Sequence, residues 1–202
     1  QPNTGYVMFD HTKNQYLSLN EPADVSNDKT FPFYFGGVNN AFAIDFWIQR
    51  PNSSLHSNSV LFQCSNMAGS TFDSFGILQA ANSPNFVYSL MLGGTPSYTS
   101  PVINATLTGG WLHLLFKQDY FGVVSLYVNG VLSLDLGVQP VPNYAMRSSC
   151  TVSRASTLLS TGAWTGNLAA LRFWPRDLVV PEIQILAGTY PSNLYPSGLS
   201  IS

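Results

Sequence analysis

Phe42-Ala43-Ile44-Asp45-Phe46-Trp47-Ile48-Gln49 is the stretch that decides the fold. Phe42, Ile44, Phe46 and Ile48 fall on one face of an extended chain, and Ala43, Asp45, Trp47 and Gln49 fall on the other. That period of two is the mark of a strand with one face in a core. Working outward, Leu112, Leu114 and Phe116 alternate with His113 and Lys117 in the same way. Leu168 to Trp174 reads as another short strand, ended by Pro175. Gly, Pro, Asn and Ser cluster at 36–40, 50–59, 82–85, 93–101 and 140–149, where turns are expected. Many short strands joined by polar turns predict an antiparallel sandwich.

One hairpin can be placed in register. Asn129-Gly130 separates Val123–Val128 from Val131–Leu136. A two-residue loop would set Leu126 against Ser133 and Val124 against Asp135, mixing buried and exposed faces. A three-residue loop, Val128-Asn129-Gly130, pairs Tyr127 with Val131. It puts Val124 and Leu126 on one face with Leu132, Leu134 and Leu136. Because register follows the buried face, the three-residue loop is expected, with Gly130 left-handed as a bulge.

One helix is expected near the C-terminus. Pro181 suits a first helical position, Glu182 complements the N-terminal dipole, and Gly188 suits a C-terminal cap. Ile183, Leu186 and Ala187 give it an apolar side. The tail 189–202 is rich in Pro and Ser. The expected organisation is one sandwich domain over 1–188 followed by that tail.

Composition narrows the function. Hydrophobic residues make up 45% of the 202, enough for a core, while charged residues make up only 9%, against about 25% in an ordinary soluble domain. The polar surface is therefore mostly hydroxyl and amide. A net charge of −2 leaves no basic stripe for nucleic acid. The apolar runs fall short of the roughly 18 residues of a membrane helix. The chain opens at Gln1 without Met, which reads as a mature form whose secretion signal has been removed. Cys64 and Cys150 are then expected to form a disulfide rather than stay as buried thiols. Asn52-Ser53-Ser54 and Asn104-Ala105-Thr106 are N-glycosylation candidates at Asn52 and Asn104 if the source is eukaryotic. Together these point to an extracellular, secreted or cell-surface protein.

Four segments resemble laminin-G-like domains in order. Met8-Phe9-Asp10 with Tyr16-Leu17-Ser18-Leu19 is similar to their opening, and Phe42–Ile48 to their next strand with its central Trp. Trp111-Leu112-His113 followed by Leu126-Tyr127-Val128-Asn129-Gly130 resembles their paired strand and hairpin signature. Gly166-Asn167-Leu168 through Trp174, then Asp177-Leu178 and Pro181-Glu182-Ile183, resembles the closing strand and helix. The resemblance is to laminin-G-like and pentraxin-like domains of the concanavalin A-like lectin/glucanase superfamily. It implies an all-β jelly-roll β-sandwich of two antiparallel sheets, with one short C-terminal helix.

That fold narrows the chemistry the chain can perform. Glycosidic hydrolysis needs two carboxylates about 5–10 Å apart. The chain has only two Glu, Glu21 and Glu182, one expected in a loop and the other in the helix, while Asp45 stands alone on its strand. No nucleophile elbow accompanies His11, His56 or His113, and His113 reads as a packed or surface residue. Relatives of this kind often hold calcium. Asp10, Asp24, Asp28 and Asp73 are the nearest candidates, but no run of them has ligand spacing, so no metal ligand and no cofactor is assigned. A sugar could stack on an exposed aromatic: Trp47, Trp164, Tyr98 or Tyr120. Trp164 lies among Gly162, Thr165 and Gly166 and is the candidate glycan contact, unless it fills the sandwich.

No enzymatic activity is expected. The favoured reading is an extracellular structural subunit that self-associates into a ring or filament, with Gln1–Phe9 or Asn193–Ser202 adding as a strand to a neighbour. The alternative is a carbohydrate-binding lectin or adhesion module. Expected partners are the chain itself and glycans, with no nucleic acid and no membrane insertion.

Overall fold

The computed structural model describes residues 7–10, 13, 15–19, 34–37, 39–49, 59–66, 73–80, 85–93, 95–103, 110–138, 142–143, 145–146, 149–153 and 164–189. Its strands run β1 (Val7–Phe9), β2 (Leu17–Leu19), β3 (Tyr34–Phe35), β4 (Phe42–Gln49), β5 (Val60–Asn66), β6 (Asp73–Gln79) and β7 (Phe86–Leu92). They continue as β8 (Thr95–Thr99), β9 (Trp111–Gln118), β10 (Val123–Val128), β11 (Val131–Val138), β12 (Ala145–Met146), β13 (Ser149–Val152) and β14 (Gly166–Trp174), before helix α1 (Val180–Gly188).

Two six-stranded antiparallel sheets face each other. One has the order β1-β14-β4-β9-β10-β11, the other β2-β13-β5-β6-β7-β8, and β3 pairs with β12 beside them. This is the all-β jelly-roll sandwich that the alternation and the turn clusters predict. The inner faces meet through Phe42, Ile44, Phe46 and Ile48 of β4, Phe116 of β9, Phe62 of β5, Phe75 of β6 and Tyr88 of β7. Phe116 stacks on Tyr88 at 5.0 Å and on Phe75 at 5.6 Å. Each such ring pair adds about 0.5–1.5 kcal/mol beyond its area. Cys64 and Cys150 stand directly opposite on β5 and β13 and are joined as a disulfide.

Four details differ from the sequence reading. First, the β10–β11 loop has two residues. Val128 pairs with Val131, and Asn129 (φ 50) with Gly130 (φ 78) makes the left-handed pair of a type I′ turn. The phase problem is solved inside β11: Tyr127 pairs with Leu132 but Leu126 with Leu134, so Ser133 is the extra residue. A primed turn matches the strand twist, and a bulge one step later restores the buried face. Second, the turn cluster 93–101 contains β8, an edge strand that tolerates Pro96 because an edge needs no donor there. Third, α1 runs through Gly188 and ends at right-handed Thr189, whose hydroxyl bonds the Leu186 carbonyl at 2.9 Å. Fourth, β4 is buried on both faces up to Ile48. Its outer face is covered by α1 around Ala43, Leu115 and Tyr127, and by Trp111, Ala169 and Ala170 around Trp47.

Candidate functional site

The outer face of the β4 sheet carries the polar chemistry, and a bulge in β14 builds it. Ala169 opposes Trp47, but Arg172 opposes Asp45, so β14 holds one residue more than β4 across that step. Ala170 absorbs the excess with φ 54. Leu168, Leu171 and Phe173 therefore face the core, while Ala169, Arg172 and Trp174 face outward. Without the bulge Arg172 would point into the sandwich.

Asp45 gathers what that arrangement supplies. Its Oδ1 accepts from Trp174 Nε1 at 2.7 Å, and its Oδ2 accepts from His113 Nε2 at 3.0 Å. Arg172 forks onto both oxygens through Nε at 3.1 and 3.2 Å and adds an Nη2 bond to Oδ2. Asp45 and His113 are completely buried. Burial works against ionisation of Asp45, but the bonds from His113, Arg172 and Trp174 and the Arg172 charge outweigh it. They hold the carboxyl below its ordinary value. Since a carboxylate only accepts, His113 donates through Nε2. Nδ1 has no partner among the described residues. Asp45 is thus ionised and saturated with donors. It fixes Arg172 and Trp174 in place and has no proton to give to a substrate.

The same sheet presents two aromatics to solvent. Between β9 and β10 the chain reads Asp119-Tyr120-Phe121-Gly122. The Asp119 carboxylate accepts the N–H groups of Phe121 and Val123, each at 2.8 Å. The Asp119 carbonyl accepts Gly122 N–H at 3.1 Å, and Asp119 N–H donates to the Val123 carbonyl at 3.0 Å. Gly122 sits at φ 81, where a side chain would be strained. Locked this way, the turn holds Tyr120 at 53% and Phe121 at 79% exposure. A preorganised turn loses little entropy on binding.

Arg176 lies within electrostatic reach of Tyr120. Its guanidinium forks onto Glu182 at 2.7 and 2.9 Å and lies 5.9 Å from the Trp174 ring, which Arg172 flanks at 6.0 Å. The Arg176 bonds, with the Val179 N–H, pull the Glu182 carboxyl down to about 2. Lys117 pairs with Asp177 at 2.7 Å. Among the described residues, Arg176 and Lys117 are therefore each paired with a carboxylate of the chain. Such a surface can stack the C–H face of a neutral ring and bond its hydroxyls.

The residues picked from sequence separate clearly. Trp164 is completely buried against Phe9, at 6.4 Å between rings, so it offers no face to a sugar. A Cβ at Gly166 would strike the Trp164 indole; the neighbouring glycine makes room for a core residue. Trp47 is buried, and Tyr98 is half-buried, 6.3 Å from Tyr88. Tyr120 is the sequence candidate that stands exposed, and Phe121 beside it was missed. An Asp three residues before a Gly between two apolar strands was the available signal, since that pair closes a turn through the Asp side chain. His113, read as packed or surface, joins Asp45, which was read as isolated. Asp73 accepts the Asn143 N–H at 2.7 Å, and Asp10 N–H donates to Gln15. Asp24, Asp28, Asn52, Asn104, His11 and His56 lie outside the described residues. Among the described residues no three of His, Cys, Asp or Glu gather as for a metal, and no helix is long and apolar enough to cross a membrane.

A laminin-G family model, described as the concanavalin A-like lectin/glucanases superfamily, matches residues 11–184. The chain belongs to this superfamily. No curated protein matches it. Among solved structures of the superfamily's fold, it is similar to domain 4 of AbnA, a GH43 extracellular arabinanase from Geobacillus stearothermophilus, in complex with arabinotriose. That likeness has a TM-score of 0.58 at 18% identity, covering 75% of this chain and 68% of the other. It is also similar to the binding domain of Paraclostridial Mosquitocidal Protein 1, at TM-score 0.59 and 15% identity, covering 93% and 46%. The binding domain of botulinum neurotoxin serotype D gives 0.55 at 13%, covering 74% and 37%. The chain spans less than half the length of these toxin domains. At such identities the likeness concerns the fold alone.

Proposed function

We propose that this chain is an extracellular, non-catalytic glycan-binding module that contacts a neutral sugar through the Tyr120–Phe121 turn. The observation that carries the reading is the pair of exposed aromatics on a turn locked by Asp119. Two further facts support it. The superfamily fold is shared with an arabinanase domain whose structure contains arabinotriose. The buried disulfide suits an oxidising, extracellular setting. Two occupied carboxylates support the absence of catalysis: Asp45 accepts from three donor residues, and Glu182 is forked by Arg176. The test is a glycan array followed by titration calorimetry. The wild-type chain binds a neutral saccharide, and Y120A/F121A weakens it about tenfold, since two lost stacking contacts are each worth about 0.5–1.5 kcal/mol. No glycan bound by the wild type, or equal binding by the double variant, overturns the reading.

Association between copies is a second reading. Among the described residues, eight of the eleven exposed large apolar side chains fall between Tyr120 and Ile185. Of these, Val180 and Ile185 share helix α1 and Val131 and Leu132 are neighbours on β11, and apolar exposure grouped in this way favours a covered surface. Multivalency would also raise weak sugar affinity. Donation of the Gln1–Phe9 segment is disfavoured as the route: Val7–Phe9 already pairs with β14, and Phe9 is in the core. Asn193–Ser202 lies outside the described residues.

A further inference from the structure

The Arg176 guanidinium is not fully used by its own chain. Nη1 donates to Glu182 Oε2 at 2.9 Å and to the Asp177 carbonyl at 3.1 Å, while Nη2 donates once, to Glu182 Oε1 at 2.7 Å. A guanidinium carries five N–H donors in a rigid plane. Among the described residues, Nε–H and the second Nη2–H are therefore uncommitted, and these two lie side by side on one edge of the group. Glu182 is uneven in the same way. Its Oε2 accepts from Arg176 and from the Val179 N–H at 3.1 Å, while its Oε1 accepts from Arg176 alone. The guanidinium is also held in place beside the Trp174 ring, 5.9 Å from its centroid, and that indole is tied to Asp45 through Nε1. Even so, 46% of the Arg176 side chain is exposed.

Register brings this pair to the aromatic turn. β14 and β9 both run antiparallel to β4, one on each side of it, so they leave the sheet at the same end. Trp174 and Lys117 stand on either side of Ala43, two strand spacings or about 10 Å apart. Arg176 follows Trp174 by two residues, and Tyr120 follows Lys117 by three. Lys117 Nζ bonds Asp177 Oδ1 at 2.7 Å and the Leu178 carbonyl at 3.1 Å, which ties the two departing segments together.

We propose that the Arg176–Glu182 pair is the polar half of the glycan site and selects a neutral sugar by two adjacent free hydroxyls. The proposal rests on the glycan-binding reading above and names the sugar chemistry that the site requires. Stacking on Tyr120 and Phe121 supplies area but does not choose among sugars; fixed donors and acceptors do. A hydroxyl both accepts and donates. Two neighbouring hydroxyl oxygens match the paired donors on the free guanidinium edge, and one of those hydroxyls can pass its hydrogen to Glu182 Oε1. An ionised sugar carboxylate only accepts, and it would stand beside the Glu182 carboxylate. Residues 117–122 and 176–182 hold three carboxylates, Asp119, Asp177 and Glu182, against two cations, Lys117 and Arg176. The local charge thus also works against an anionic sugar.

Titration calorimetry tests this with the methyl glycosides of glucose, galactose, mannose and arabinose, any glycan that the array returns, and the monodeoxy forms of the tightest ligand. Arg176→Lys keeps a positive charge opposite Glu182 but has no paired donor edge. It is expected to weaken the tightest ligand about tenfold at an unchanged melting temperature. A deoxy form lacking one hydroxyl of the pair loses a similar factor on the wild type and little more on Arg176→Lys. The deoxy comparison uses the wild-type chain, so it holds whatever the substitution does to folding. Methyl glucuronoside is expected to bind more weakly than methyl glucoside. Wild-type affinity in Arg176→Lys, equal binding of every deoxy form, or a preference for the glucuronoside overturns the proposal; if Y120A/F121A still weakens binding, the stacking site stands without it. A wild type that binds no saccharide overturns the glycan-binding reading and the proposal together.

Discussion

The Asn129 side-chain oxygen accepts the His113 backbone N–H at 2.9 Å, while the His113 carbonyl accepts the Asn129 N–H, also at 2.9 Å. The tip of the β10–β11 hairpin is thereby stapled to β9 at the residue whose imidazole reaches Asp45. In this chain the Trp111-Leu112-His113 strand and the Leu126–Gly130 hairpin are thus coupled. One fixes the backbone of the other, and the ring is positioned as a result.

Asn129→Ala therefore removes both a hydrogen bond and a side chain suited to φ 50. It is expected to lower stability by about 1–2 kcal/mol, with Asn129→Gly losing about 1 because it keeps the backbone freedom. Urea unfolding of the two variants separates bond from strain; equal losses would refute the separation.

Asp45→Asn leaves Arg172, His113 and Trp174 facing an amide that cannot accept from all three. Breaking a buried ion pair by removing one partner is worth about 3–5 kcal/mol. The expected loss is at the lower end, because Arg172 keeps a third of its side chain in solvent. Asp45→Asn with Arg172→Met should recover part of it, and a double-mutant cycle in urea shows whether it does. Additive losses would mean that the network is not coupled.

Reduction of Cys64–Cys150, or Cys64→Ala with Cys150→Ala, opens a link across 86 residues. The chain-entropy relation gives about 4–5 kcal/mol for a loop of that size. A drop in the urea midpoint at unchanged glycan affinity is the expected result, because neither cysteine touches the Tyr120–Phe121 turn.

Acid sensitivity follows from two depressed carboxyls. Glu182 titrates at about 2 in the folded chain instead of 4.5, and Asp45 also lies below its ordinary value. A carboxyl lowered by folding contributes stability that is complete above its unfolded value and fades as pH falls through the folded one. Stability is thus expected to be flat above about pH 5 and to decline below about pH 4. Carboxyl-carbon NMR follows Glu182 directly. Arg176→Gln should return its midpoint toward 4.5; a midpoint that stays near 2 would contradict the pairing.

Much of this was legible in the residues. The alternation of β4 and β9 gave the sheet, and Pro181 with Glu182 located α1. What could not be read was which cover lies over an outward face. Asp45 reads as alone because its partners Arg172 and Trp174 come from a distant strand and arrive through one extra residue at Ala170. Trp164 looked exposed because small residues surround it, yet Gly166 is small to admit the indole. The hairpin loop differs from expectation because a bulge inside β11 still puts Leu134 and Leu136 on the buried face, while Leu132 falls outward opposite Tyr127.

The disulfide also decides how the domain carries tension. Cys64 and Cys150 bridge neighbouring strands, and the 86-residue interval between them includes β6 through β12. Pulled from its two ends, the oxidised chain passes force straight across the sulfurs, so that interval bears no load. Reduction releases about 290 Å of hidden contour length, at 3.3–3.6 Å per residue. The bond therefore acts as a length limiter, and the redox state of the surroundings sets how far the molecule can be drawn out.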